Sequence, residues 1–158
     1  HPLLGHASIH ASLISGGQEL SSYPERCLLS AERRTLPGES GVAVMAEIQD
    51  IVNRLHHADP DFKAAIRQGL ERAPLETPVD AAIVGAIRQS AESALGKPRE
   101  LSGVSYWTDA ASLWAAGIPT VLFGPLGAGA HAVEEWVDLS SVKTCAEIYL
   151  ATAIDFCG

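Results

Sequence analysis

One histidine closes a glycine-rich run, Gly124-Pro125-Leu126-Gly127-Ala128-Gly129-Ala130-His131, with Glu134 and Glu135 just behind it. Glycines let backbone approach a ligand closely, and a neutral imidazole nitrogen suits zinc or a similar ion. Glu135, four residues on, is spaced to orient that imidazole as a hydrogen-bonded carboxylate. The other reading is a histidine on a surface loop. A single ligand cannot hold a catalytic metal, and the remaining histidines do not supply the others. His56 and His57 diverge by about 100° on a helix, and His6 and His10, which could share a strand face, read as exposed polar positions.

Two further segments carry polar groups suited to a ligand. Arg33 and Arg34 are adjacent on an expected strand, so they face opposite sides. One of them can enter a site and grip a carboxylate through two parallel N–H bonds, while the other lies in solvent or pairs with Glu32 or Glu39. The long polar connection from Gly16-Gly17 to Tyr23-Pro24 presents Ser21 or Ser22, or is simply a loop. No Gly-x-Ser-x-Gly elbow and no Ser-His-Asp order supports serine catalysis.

Positioning these groups requires a definite set of elements. Ile9, Ala11 and Leu13 alternate as a half-buried strand should over residues 8–14. Residues 27–35 read as a second strand, and Pro37-Gly38-Glu39-Ser40 as a turn. From residue 41 to 57 the period becomes helical, with Val44, Met45, Ile48, Ile51, Val52 and Leu55 on one stripe. Ser40 is its expected N-cap and Asp59-Pro60 its stop. Residues 63–70 are read as a third strand, with Ala64, Ala65 and Ile66 also compatible with a helix. Ala73-Pro74 to Pro78 breaks the pattern and marks a domain boundary. A helix follows over residues 79–95, with Ile83, Ile87 and Ala91 on one face and Gly96 ending it. The remainder alternates in the α/β manner: a short segment at 101–104, a helix over 109–116, a buried strand over 120–123, then the glycine loop. A last helix is expected over 141–156.

Composition bounds the function classes. The chain has 158 residues, 47% of them hydrophobic, so a real core is affordable. A formal charge of −8 leaves no basic stripe for nucleic acid. No apolar run is long enough to span a bilayer, and the expected setting is the cytoplasm. Cys27, Cys145 and Cys157 are an odd count without CxxC spacing, which suggests free thiols rather than a disulfide framework or a zinc knuckle. The start at His1-Pro2-Leu3-Leu4-Gly5 reads as the middle of a loop rather than a signal peptide.

Taken together, these segments resemble the metal-dependent amidohydrolases and peptidases that include acetylornithine deacetylase, succinyl-diaminopimelate desuccinylase, aminoacylase and bacterial glutamate carboxypeptidase. The resemblance rests on an ordered series: Gly16-Gly17 with Ser21 to Pro24; Glu32-Arg33-Arg34-Thr35-Leu36-Pro37-Gly38-Glu39; Trp107-Thr108-Asp109-Ala110; Gly117-Ile118-Pro119; Phe123-Gly124-Pro125; and Ala130-His131 with Glu135. It implies an α/β fold in two parts. Residues 1–74 would be most of a small α+β, ferredoxin-like lid that pairs into a homodimer. Residues 75–158 would be the C-terminal segment of a zinc-peptidase catalytic domain. A His-x-Asp pair, the general-base glutamate and another acidic ligand would lie ahead of His1, so no catalytic base is expected in this stretch.

The resemblance also assigns roles. His131 matches the final ligand of a two-metal centre, usually Zn2+ with Co2+ or Mn2+ as substitutes. Glu135 stands behind it. Arg34 matches the arginine that holds the substrate carboxylate. Ser21 falls where many members have an Asn, a longer side chain with more donors. Tyr106-Trp107 replaces a small Gly-Thr pair of the desuccinylases and fills space where an acyl group would sit. The implied reaction is amide hydrolysis of an N-acyl amino acid, or of a dipeptide as in the family's dipeptidases and carboxypeptidases, with this stretch inactive alone. A different class remains open, a non-catalytic dimerisation or binding module.

Overall fold

The structure, a computed structural model, describes residues His1–Gly158 and is a mixed α/β protein. Its chain gathers into two compact units. One comprises His1–Pro74 with Ser102–Trp107, the other Leu75–Leu101 with Thr108–Gly158.

The first unit is a β-hairpin and a helix. Strand β1 (Ser8–Gly16) pairs antiparallel with β2 (Cys27–Arg34), from Ser8 opposite Arg34 to Gly16 opposite Cys27, with a bulge between Ala11 and Leu13. Gly16 closes the pairing because a Cβ there would stand 2.6 Å from the Arg26 carbonyl oxygen. Helix α1 (Gly41–Ala58) begins where the apolar period changes from two to nearly four. The Ser40 hydroxyl accepts from the Ala43 N–H at 3.2 Å, the capping bond its residue type favours.

No third strand forms over residues 63–70, which have no ladder partner. A run of Ala64-Ala65-Ile66 lacks the β-branched alternation that makes a pleated surface pack. The segment instead brings Glu71 to the start of α1. There Glu71 accepts from the Gly41 N–H at 3.0 Å and from Gln68 Nε2 at 2.6 Å. A carboxylate at a helix N-terminus satisfies an orphan donor and complements the helix dipole.

The second unit holds the packed core. Helices α2 (Ala82–Leu95) and α4 (Leu139–Cys157) bury Ile87, Ala91 and Ile148 against one another, and Leu95, Val121 and Phe123 pack on that cluster. Gly96, with φ of 69°, ends α2 in the left-handed region. A short helix, α3 (Ala110–Ala115), precedes the segment expected as a buried strand.

That segment, residues 120–123, carries no strand ladder either. Two of its carbonyls accept from side chains. The Thr77 hydroxyl donates to the Thr120 carbonyl, and the Tyr149 hydroxyl to that of Phe123. The Phe123 and Tyr149 rings meet edge to face, 5.9 Å between centroids. The expected buried strand therefore forms neither a ladder nor a buried segment: residues 120, 121 and 123 are half-buried and Leu122 is exposed. All three cysteines are free. No helix is long and apolar enough to cross a membrane.

Candidate functional site

The glycine loop is a small hairpin pinned at its base. Strand β3 (Gly127–Ala128) pairs with β4 (Trp136–Val137), Gly127 opposite Val137 and Ala128 opposite Trp136. Below them the Asp138 N–H donates to the Leu126 carbonyl at 2.9 Å, and the Leu126 N–H to Ser141 Oγ at 2.9 Å. Asp138 is also the N-cap of α4 and accepts from the Ser141 N–H at 2.6 Å. The Ser140 hydroxyl and then the Ser141 N–H hold the Asp138 carboxyl below its ordinary range. The loop therefore leaves the helix start through a fixed joint.

At the tip, geometry leaves little choice of residue. Gly129 has φ of 79°, and a Cβ there would stand 1.9 Å from the Glu134 carbonyl oxygen. The Ala132 N–H donates to the Gly129 carbonyl at 2.7 Å and tightens the turn. His131 follows with φ of 64°, the one residue other than glycine in the left-handed region. Histidine tolerates that region better than most types, but the conformation costs on the order of 1 kcal/mol. Strain of this kind persists where the surroundings over-determine it, and it clusters at functional sites.

Glu135 does not hold the imidazole. Its Oε2 accepts from the His131 backbone N–H, at 3.4 Å, so it steadies the turn rather than the ring. The imidazole is exposed at the tip of the loop.

The two arginines divide their work as alternation requires. Arg33 turns toward α1, donating from Nη2 to Glu39 at 2.5 Å and from Nη1 to Glu47 at 2.8 Å, and its side chain is only 24% exposed. Glu39 also accepts from the Leu36 N–H at 2.7 Å. That backbone bond first, and Arg33 second, draw its carboxyl below the usual glutamate range. Arg34 turns the other way and is 48% exposed. Its Nε donates to Glu32 at 3.0 Å and its Nη1 to the Ser105 carbonyl at 3.4 Å. Its Nη2 is left for another acceptor.

Ser21 and Ser22 lie exposed on the connection after β1. Both hydroxyls bond the Glu19 carboxylate and lower its pKa, Ser22 most strongly, at 2.5 Å. Sequence reasoning gave no notice of the Glu39–Arg33–Glu47 cluster as a unit, of the β3–β4 hairpin, or of the Arg72 guanidinium, which lies over the Trp107 ring 5.6 Å from its centroid. The hairpin had a signal: Gly127 and Gly129 spaced by one residue ahead of Trp136-Val137.

The side chains of His131 and of Arg34 are each exposed, on separate units. No three His, Cys, Asp or Glu side chains gather anywhere in the chain. A catalytic zinc takes at least three protein ligands, so the donor set present does not by itself make a metal centre. His131 would offer it one nitrogen.

A sequence model described as peptidase family M20/M25/M40 matches residues 7–155. The acetylornithine deacetylase of Myxococcus xanthus is 28% identical over 96% of this chain and 38% of its own length. The N-formyl-4-amino-5-aminomethyl-2-methylpyrimidine deformylase of Bacillus subtilis is 30% identical over 98% of this chain and 39% of its own length. An M20 family metallo-carboxypeptidase of Sulfolobus solfataricus superposes with a TM-score of 0.71, covering 96% of this chain and 36% of that one at 16% identity. The chain thus spans well under half the length of these relatives.

Proposed function

The chain belongs to peptidase family M20/M25/M40, and from that premise we propose that it serves a metal-dependent hydrolase of amide bonds in N-acyl amino acids, with Zn2+ as its metal. The observation that carries this reading is the family match over residues 7–155, which includes both Arg34 and His131. The relatives named as a deacetylase and a deformylase both cleave an acyl group from nitrogen, which favours a deacylase over a dipeptidase or carboxypeptidase.

The chain's own residues do two things in this reading. Arg34 binds the substrate carboxylate through the N–H groups that Glu32 and Ser105 leave available; a charge-assisted bond of this kind contributes about 1.5–3 kcal/mol. The strained loop holds the His131 imidazole at a fixed place as one metal ligand. Ser21 is a second polar contact for the substrate once Glu19 yields it. No proton transfer is assigned to these residues, because none of them is a base poised against a water.

The test is binding rather than turnover. Isothermal titration of the chain with N-acetylornithine is expected to show weak binding that Arg34→Ala abolishes and Arg33→Ala does not. Acetate release by the pure chain with added Zn2+ is expected to be nil; measurable turnover would sink the one-ligand argument. Binding insensitive to Arg34→Ala would remove the substrate role.

The first unit also supports self-association. Ile9, Leu13 and Leu29 are exposed on a hairpin whose outer edges are unpaired, and free edges template further pairing. We propose a homodimer through this unit. Light scattering at rising concentration is expected to show twice the monomer mass, and a constant monomer would refute it.

A further inference from the structure

Helices α2 and α4 press apolar side chains together, and beside that contact they leave a groove of about 360 Å³. Both helices belong to the second unit, so the groove lies within one compact body. On α2, Gln89, Ser90 and Ser93 line it. On α4, Glu147, Ala151 and Asp155 line it, following at intervals of four and so sharing one flank of the helix. The buried Ile148 adds apolar surface to the lining.

The polar side chains of this groove are unused by the fold. Gln89, Ser90, Ser93, Glu147 and Asp155 make no side-chain hydrogen bond or ion pair within the protein. Ser90 is the sharpest case. It is only 5% exposed, and its Oγ has no partner, a state that costs free energy. Thr152, equally buried on the facing helix, donates its hydroxyl to the Ile148 carbonyl at 2.7 Å. A helical serine can bond back to its own preceding turn in the same way, yet Ser90 does not. Its hydroxyl is a buried polar group left open at a lined groove.

The charges present decide the class of ligand. Two carboxylates line the groove and no cationic side chain does. A metal ion does not fit, because no three His, Cys, Asp or Glu side chains converge. From Glu147 to Asp155 the helix rises about 12 Å, and the lining between them is the methyl of Ala151. We propose that this groove binds a linear aliphatic polyamine. The two end ammonium groups pair with Glu147 and Asp155, the methylenes lie on Ala151 and Ile148, and a central secondary ammonium donates to Ser90 Oγ. The site uses none of Arg34, Ser21 and His131, so it holds or fails apart from the deacylase reading.

The test is isothermal titration of the full chain with spermidine, with the amides of α2 and α4 followed by NMR. Two comparison ligands dissect the contacts. In α,ω-diaminooctane a methylene replaces the central nitrogen of spermidine at the same length, and putrescine is too short to reach both carboxylates. Spermidine should bind saturably and most tightly, putrescine most weakly, with shifts centred on the groove residues. Glu147→Gln and Asp155→Asn should each weaken spermidine about twofold to fivefold, the worth of an exposed ion pair. Glu92→Gln, on α2 but outside the groove, should leave it unchanged. Ser90→Ala should narrow the gap between spermidine and diaminooctane without lowering thermal stability, since it removes a buried hydroxyl that has no partner. Equal losses from Glu147→Gln and Glu92→Gln would mean general attraction to an acidic chain and would overturn the proposal. So would putrescine binding as tightly as spermidine, or a spermidine preference that Ser90→Ala leaves intact.

Discussion

The two units are held together by different physics. Every fully buried side chain, from Val84 to Thr152, belongs to the second unit, and the first has none. In the second unit α2 and α4 press apolar side chains together, and the loop bearing His131 grows from the start of α4. In the first unit a ladder, a helix cap and the Arg33 cluster replace a core, and strand residues such as Ile9 and Leu13 remain exposed. Apolar burial tolerates salt and pH; ion pairs and charged caps do not. The unit proposed to supply a metal ligand therefore has the packed core, and the unit proposed to grip the substrate has none.

The sharpest break in that contrast is Ile148→Ala. Ile148 is 1% exposed, and its truncation is expected to cost about 2–5 kcal/mol. Thermal unfolding should show the loss in the second unit, with the hairpin amide signals of the first unit little changed. A smaller expected effect comes from Gly129→Ala. Its Cβ would collide with the Glu134 carbonyl, and its φ of 79° disfavours alanine. About 1–3 kcal/mol of local strain should open the β3–β4 hairpin, seen as faster hydrogen exchange at Ala132 while α4 keeps its protection.

Acid should act on the first unit first. The folded Glu39 carboxyl is drawn below its ordinary value of 4.5. The stability it contributes is present above that value and is lost as pH falls through the lower, folded one. Circular dichroism of α1 between neutral and strongly acidic pH should show this loss, and Glu39→Gln should flatten it. An unchanged profile would mean that the Arg33 cluster does not hold the hairpin to α1. The mildest probe is chemical. Burial raises the Cys145 thiol pKa, so a thiol reagent should modify the exposed Cys27 and Cys157 first. Equal rates at all three would deny the second unit its closed core.

Legibility in the sequence followed the same division. Helices announced themselves through local signals: Ser40 as a cap, Gly96 as a stop, and apolar spacing over α1 and α2. The strand expectations at 63–70 and 120–123 did not survive, because a ladder depends on a partner far away in sequence. At 120–123 the hydroxyls of Thr77 and Tyr149 take the place of that partner, which no periodicity reveals. For the candidate site, His131 was visible from its glycines, but the left-handed backbone that fixes it was not. Alternation said that Arg33 and Arg34 diverge; only Glu47, thirteen residues beyond Arg34 on another element, decided which one was consumed by the fold. Glu135 had the expected spacing, yet it bonds the histidine's backbone.

The proposal that the glycine loop presents His131 as a metal ligand is tested most directly by a Zn2+ titration of the chain, following all six imidazoles by NMR. The expected result is a saturable shift of the His131 ring that Gly129→Ala weakens and His131→Asn abolishes. A His131 ring that stays unmoved while other histidines shift would contradict it.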